Sequence, residues 1–270
     1  MINSLLKAID VLNVFSLERP VLTLTEISER LGYPKTTVHS ILNTLESRGV
    51  IEKTDHRHYA VGTAIITMTQ TVRVNVQIRD RAAPLLRNLG DFCEVSVYLT
   101  VLEGNYSLYI YAIESSDRLQ ARSVVGDRTH MHCTAVGKAL LAFLPRPQIE
   151  TIIEAVGLPR FTDQTITDKK LLFENLELTR KRGYALDFAE HEEMTYCIGS
   201  PIYNERGKTI GSCSVSGSDP ALVNEQVDEI SPAVLYTAQE ISRRMGFVPT
   251  TDMVLWKGST NPLTKNRLYR

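Results

Sequence analysis

Lys35, Thr36, Thr37, His39, Ser40 and Asn43 fall within nine consecutive positions of this chain. All are short or flexible hydrogen-bonding side chains, without the dense Glu/Lys pairs of a merely solvated helix. They are the inventory needed to meet phosphate oxygens and base edges. Val38, Ile41, Leu42 and Leu45 are interleaved with them at i, i+3, i+4 and i+7. The spacing predicts a helix with one buried apolar stripe and its polar face outward. Pro34 suits the first helical turn, and Gly49 supplies a left-handed stop. Taken alone, such a stretch is an ordinary amphipathic surface helix. Its neighbours change the reading.

Upstream, residues 1–18 predict a first helix, with Leu5, Leu6, Ile9, Leu12, Val14 and Phe15 available to pack and Pro20 ending it. Thr23 followed three residues later by Glu26 is a capping-box signature. Leu24, Ile27 and Leu31 then make a second buried stripe, closed by Gly32. The turn into the next helix is very short, so the two helices must cross steeply, as in a helix-turn-helix. After Gly49, Val50 and Ile51 open a strand, 54–57 make a polar turn and Tyr59 to Val61 return as its partner. A hairpin placed there is a wing, and Lys53, Arg57 and His58 near its tip could meet backbone phosphate.

The chain's 270 residues fit two domains, and its 43% hydrophobic and 23% charged content is that of an ordinary globular protein. The formal net charge is −1, and residues 1–64 carry seven Lys/Arg against seven Asp/Glu. A nucleic-acid footprint must therefore come from local placement rather than bulk charge. Cys93, Cys133, Cys197 and Cys213 are dispersed, with no C-x-x-C pair. With no secretory leader read and no apolar run of about 20 residues, the expectation is a soluble cytoplasmic protein with reduced thiols and no membrane partner.

Residues 63–79 predict a linker helix, and Arg79 to Gly90 a further helix around Pro84. From Glu94 the period becomes that of strands: a hairpin around residues 103–105, then a third strand over 119–126. Helical patterns follow at 134–144, 147–156 and 168–182, strands at 184–187, 196–203 and 209–217, and a closing helix at 221–245. This predicts an α+β fold with a mostly antiparallel sheet flanked by helices. The expected division is 1–62 winged helix-turn-helix, 63–79 linker, 80–248 second domain and 249–270 a basic flexible tail.

Two other chemistries are conceivable in the second half. His130, His132 and Cys133 with Cys197 and Cys213 offer soft ligands for a metal or thiol sensor, although His130 and His132 sit two apart rather than at a usual zinc spacing. Cys197, His191 and Asp187 could serve as nucleophile, base and orienter. No nucleophile elbow, P-loop or dinucleotide fingerprint supports catalysis, so neither an enzyme nor a cofactor is expected.

The segments LTLTEISERLGYPKTTVHSILNTLESRGVIEK and HYAVG, then MHCTAVGKALLAFL and KRGYALDFAEHEEMTYCIGSPIYNERGKTIGSCSVSGS, occur in that order. Over roughly residues 4–245 the chain resembles the IclR family of bacterial transcription regulators. The resemblance implies a DNA-binding head that dimerises, often within tetramers, and a C-terminal domain of GAF-like fold that binds a small carboxylic, keto or sugar acid. It places a bound acid against Asp187, Cys197, Ser214 and Ser216, with the backbone of Ala135 and Val136 facing the ligand and Thr129 at a wall position. Asp187 departs from a simple anion cradle, because it would repel a carboxylate unless it accepts a ligand hydroxyl or keeps a proton. The expected function is a sequence-specific regulator of a duplex operator under effector control. A metal- or thiol-responsive regulator is the alternative.

Overall fold

The computed structural model describes residues 1–16, 18–55, 57–72, 75–115, 125–249 and 261–264. The chain divides into two compact units, Met1–Asn75 and a second beginning at Val76.

The first unit contains helices α1 (Asn3–Asn13), α2 (Leu24–Leu31), α3 (Lys35–Glu46) and α4 (Ala64–Gln70) and strands β1 (Val21–Thr23), β2 (Ile51–Lys53) and β3 (His58–Val61). Helix α2 starts where the sequence placed it. The Thr23 hydroxyl accepts the Glu26 N–H at 3.2 Å, and the Glu26 carboxylate accepts the Thr23 N–H at 2.7 Å. Gly32 ends the helix at φ 66°, a left-handed turn that glycine takes without steric cost. Pro34 is the residue before α3 rather than its first turn; its extended ψ of 140° turns the chain into the helix. Val11, Leu22, Ile27, Val38, Leu42, Ile51 and Tyr59 form the buried core of this unit. The wing carries one strand more than expected. β3 lies between β2 and β1, and the β1 pairing sets Leu22 opposite Tyr59. The result is a winged helix-turn-helix.

The helix expected over 63–79 is shorter. α4 ends at Gln70, and Asn75–Arg79 forms a π-helical turn that leads directly into α5 (Asp80–Cys93). Thr69, Thr71 and Val72 are β-branched, which weakens a helix there, and no residue of α4 is buried to compensate.

In the second unit a six-stranded antiparallel sheet has the order β6-β5-β4-β9-β8-β7. Its strands are β4 (Ser96–Glu103), β5 (Tyr106–Ile113), β6 (Arg128–Thr129), β7 (Ala185–Phe188), β8 (Tyr196–Tyr203) and β9 (Thr209–Gly217). The strand expected over 119–126 falls mostly outside the described residues; the strand that pairs with β5 is β6. One sheet face meets α5, which approaches Val97 through Gly90, and α9 (Val227–Arg244), which packs beside α5. The other face receives α6 (Ala135–Leu141), which joins α7 (Arg146–Val156) and α8 (Lys169–Arg182) around Leu140, Ile149, Leu172 and Leu176. The unit is α+β, as the sequence implied. The expected tail contains ordered structure. Residues 261–264 include a 3-10 turn, Pro262–Thr264, with Pro262 buried, and this turn packs on α5 and α9. Among the described residues, no helix is long and apolar enough to cross a membrane.

Candidate nucleic-acid interface and ligand site

Helix α3 is held from behind. The Tyr33 hydroxyl donates to Asp10 at 2.6 Å, and the Ser28 hydroxyl donates to the Tyr33 carbonyl at 2.6 Å. These bonds fix the turn between α2 and α3, so the polar face of α3 has one orientation on its unit. Lys35, Thr36, His39, Ser40 and Asn43 are exposed on that face, while Thr37 is half-buried. His39 Nδ1 and Asn43 Nδ2 lie 3.3 Å apart, each satisfying part of the other's hydrogen bonding. No side chain caps the start of α3, which leaves N–H groups there for an outside acceptor. A groove of about 430 Å³ runs between the start of α1 and α3, lined by Asn3, Ser4, Lys7, Thr36, Thr37, Ser40 and Ile41. Sequence reasoning missed Asn3, Ser4 and Lys7. Their one signal was the i, i+4 spacing of Asn3 and Lys7, which puts two polar side chains on one side of the helix.

On the wing, Lys53 and Arg57 are exposed, and the Lys53 ammonium lies 5.7 Å from the centre of the Tyr59 ring. His58 is placed differently from the expectation. Its Nδ1 pairs with Asp55 at 2.8 Å, and the same carboxylate accepts the N–H groups of Arg57 and His58. The Arg57 backbone bond, followed by the His58 ring, holds Asp55 down to about 2. The acid that turns the wing tip thus holds one nitrogen, Nδ1, of the imidazole expected to meet phosphate.

The second-domain residues gather by strand register. Asp187, Cys197, Ser216 and Ser96 are opposite one another across β7, β8, β9 and β4; Gly199, Ser214 and Tyr98 form the next row on the same face. Cys197 Sγ donates to Ser216 Oγ at 3.2 Å. Helix α6 presses onto this face. A Cβ on Gly199 would come within 2.8 Å of the Ala135 carbonyl carbon, and Ser212 Oγ donates to the Val136 carbonyl at 2.8 Å. Thr134 caps the helix by accepting the Gly137 N–H. Ala135 and Val136 are therefore buried at the expected place, but the Ala135 N–H is directed to Asp187. The chain supplies its own carboxylate there, which corrects the expectation of backbone groups left facing a ligand. Thr129 lies on the far edge strand β6, its hydroxyl buried without a partner among the described residues.

Asp187 is 3% exposed and also accepts the Glu190 N–H at 2.8 Å. Burial raises its carboxyl to about 7, against the opposing pull of the nearby Lys138 ammonium. Lys138 and Glu190 form an ion pair with the two side chains only 0% and 4% exposed. Sequence reasoning missed both residues. Glu190 is carried on a loop whose backbone is tied down by Thr162, donating to the Ala189 carbonyl at 2.7 Å, and by Thr165, donating to the Glu190 carbonyl at 2.6 Å. Ala189 and Met194 in the same loop adopt φ of 58° and 56°.

The metal or thiol alternative finds no support in this geometry. Cys197 and Cys213 sit at odd and even steps of paired strands, Cys197 opposite Ser216 and Cys213 opposite Ser200, and so face opposite sides of the sheet. Burial pushes the Cys133 and Cys213 thiols up, the latter to about 12, away from the thiolate that ligation needs. His132 Nε2 donates to the Pro159 carbonyl at 3.0 Å, and His130 and His132 meet edge to face, both tilted against Phe161. No group of three His, Cys, Asp or Glu among the described residues could hold a metal ion. A catalytic triad fares no better: Cys197 is bonded to Ser216, Asp187 to backbone N–H groups, and the His191 ring packs against Phe161 at a tilt of 37°, with centroids 4.7 Å apart.

Comparison with known proteins accounts for both units. Residues 4–55 match the IclR helix-turn-helix domain, and residues 70–243 match the family described as bacterial transcriptional regulator IclR C-terminal. The HTH-type transcriptional regulator BhcR of Paracoccus denitrificans is 33% identical over 252 residues, covering 93% of this chain and 89% of that protein. KipR of Bacillus subtilis is 29% identical over 244 residues, or 90% of this chain and 97% of its own length. The crystal structure of Thermotoga maritima IclR superposes with a TM-score of 0.79 at 29% identity, covering 91% of this chain and 99% of that one. With both units matched in order, the chain belongs to the IclR family of DNA-binding transcriptional regulators, which are not enzymes.

Proposed function

We propose that two copies of this chain place the exposed face of α3 in successive major grooves of an operator, and that a small acid in the second domain controls whether both can do so. The observation that carries the reading is the division of α3, with Val38 and Leu42 in the core and Lys35, Thr36, His39, Ser40 and Asn43 outside. Lys53, Arg57 and the uncapped start of α3 would hold phosphates, and Thr36, Ser40 and Asn43 would read base edges. One helix covers too little of the groove for a useful specificity ratio, so two heads are required. Exposed Leu5, Leu6 and Ile9 on α1 offer a surface through which two heads could join. The effector would lie on the sheet face bearing Asp187, Cys197, Ser214 and Ser216. Its binding would bias the placement of the heads through residues 63–79 as a population shift, with about 1–3 kcal/mol of differential affinity. Such a protein acts in the cytoplasm, as a dimer or tetramer.

The test uses a duplex selected by the full-length protein from a randomised pool. Lys53→Ala and Arg57→Ala are expected to weaken all duplexes alike, each reducing the salt slope by about one. Asn43→Ala should instead relax preference at one base pair by about 1–3 kcal/mol. If all three variants lower affinity uniformly and leave the preferred sequence unchanged, α3 does not read bases.

A separate expectation concerns the effector. In a thermal-shift screen of small carboxylic, keto and sugar acids, a binder raises the melting midpoint by mass action. Ser214→Ala should lose most of that rise while keeping the duplex affinity of the ligand-free protein. Loss of duplex affinity without effector would remove Ser214 from the ligand site.

A further inference from the structure

The groove between α1 and α3 has a lining of one chemical kind. Asn3, Ser4 and Lys7 form its α1 wall and Thr36, Thr37 and Ser40 its α3 wall; Ile41 is the one apolar side chain, and no Asp or Glu is among them. Amide, hydroxyl and ammonium groups can all donate, so the lining suits an oxyanion. Its volume of about 430 Å³ is more than a lone small anion fills, and leaves room for a phosphodiester with the sugars on either side.

Lys7, the one charged side chain of the lining, is held in place. Its ammonium lies 5.1 Å from the centre of the Tyr33 ring, and the Tyr33 hydroxyl is bonded to Asp10 at 2.6 Å. Asp10 is the one acid of α1, three positions beyond Lys7; it takes the Tyr33 hydroxyl and does not line the groove. At about 100° per residue, Asn3, Ser4 and Lys7 fall on the side of α1 opposite Leu5, Leu6 and Ile9. The groove and the exposed apolar side of the helix can therefore serve different partners.

We propose that this groove seats one phosphodiester of the strand bordering the major groove, with Lys7 meeting its charge and Asn3, Ser4 and Thr37 donating to its oxygens. Ile41 lies against a sugar. The inference rests on the reading of α3 above and adds α1 to the surface that meets DNA. Thr37, half-buried and so poorly placed to reach a base, gains a role on the backbone. Such a contact carries no sequence information, but it fixes the depth and angle at which α3 enters the duplex.

The probe is the duplex selected by the full-length protein, prepared with a neutral methylphosphonate at each backbone position in turn. Lys7→Gln, which keeps most of the aliphatic stem, is expected to weaken selected and scrambled duplexes alike. Its loss of affinity between about 50 and 200 mM salt should be smaller than the parent's by roughly three- to fourfold, the share of one phosphate. One methylphosphonate position in each half-site should weaken the parent, leave Lys7→Gln no weaker than before, and stay effective in Lys53→Ala. Ser4→Glu, which sets a carboxylate into the groove, should weaken every duplex at least as much as Lys7→Gln. Melting of the head and sedimentation of the protein should match the parent in both variants.

An unchanged salt slope in Lys7→Gln, or parent-like losses at every methylphosphonate position, overturns the seat. So does altered sedimentation, which would give the groove to a second copy of the chain. The two readings fail separately. If Lys7→Gln matches the parent while Asn43→Ala relaxes one base pair, the seat falls and α3 still reads bases. If Lys7→Gln loses its share while Asn43→Ala keeps the preferred sequence, the seat stands and base reading by α3 falls.

Discussion

Lys138→Met is expected to destabilise the second domain by about 3–5 kcal/mol, the cost of leaving a buried carboxylate without its counter-charge. Lys138 is fully buried on α6, against Glu190. Methionine preserves the packing of the aliphatic stem, so the loss isolates the charge. The sign of the pH dependence follows. Without the ammonium, Asp187, already raised to about 7 by burial, binds its proton still more tightly in the folded state. The variant's deficit must therefore grow as pH rises through about 7, where the parent's Asp187 ionises and the variant's does not. Urea unfolding of the full-length protein at several pH values measures both. Lys138→Met combined with Glu190→Leu should recover most of the stability, because removing both partners leaves no buried charge from the pair. A single variant within about 1 kcal/mol of the parent would show that water or rearrangement reaches the pair.

The second large effect concerns the head. Leu5→Glu with Ile9→Glu is expected to lower affinity for a selected duplex by on the order of 10³-fold, to the level of non-specific binding. Leu5, Leu6 and Ile9 are 58%, 41% and 46% exposed, and α1 buries only Val11. The two substituted side chains lie one turn apart, i and i+4, on a surface that adds nothing to the core of its own unit. Carboxylates there should fold normally and fail to meet another copy. Sedimentation velocity should show smaller species, while circular dichroism and the melting of the head stay unchanged. A variant that remains a dimer and binds the duplex as before would move the self-contact elsewhere, with exposed Ile66, Met68 and Val72 the next surface to change.

Features set by neighbouring residues were legible in advance. The Thr23–Glu26 box, the Gly32 turn and the division of α3 each depend on positions within a few residues. Each appears in the structure as the side-chain types dictate. Strand β1 was not legible, because the three residues after Pro20, the last of them the cap of α2, carry no period, and only pairing with β3 makes them a strand. In the second domain the row Asp187, Cys197 and Ser216 came from family likeness; no single strand reveals what lies across from it. Lys138 shows the limit most clearly. In TAVGKALLAFL a lysine reads as the solvent side of a helix, yet every residue of α6 is buried, and the explanation is an acid 52 positions later. Glu190 was invisible for the same reason, and so was the use of Asp187 as partner to the Ala135 N–H.

The bond between His39 and Asn43 bears on how an operator would be told apart from other sequences. In the free head these two side chains already share one hydrogen bond, so docking those two nitrogens on a matching base exchanges one hydrogen bond for another and adds little binding strength. On a mismatched base the original bond is broken and nothing replaces it, so a donor or acceptor is stranded under the helix. Discrimination at these positions would then come mostly from rejecting foreign sequences rather than from rewarding the correct one. Such a head could scan bulk DNA on its phosphate contacts alone, with His39 and Asn43 remaining bonded to each other until a base pair offers both of them something equivalent.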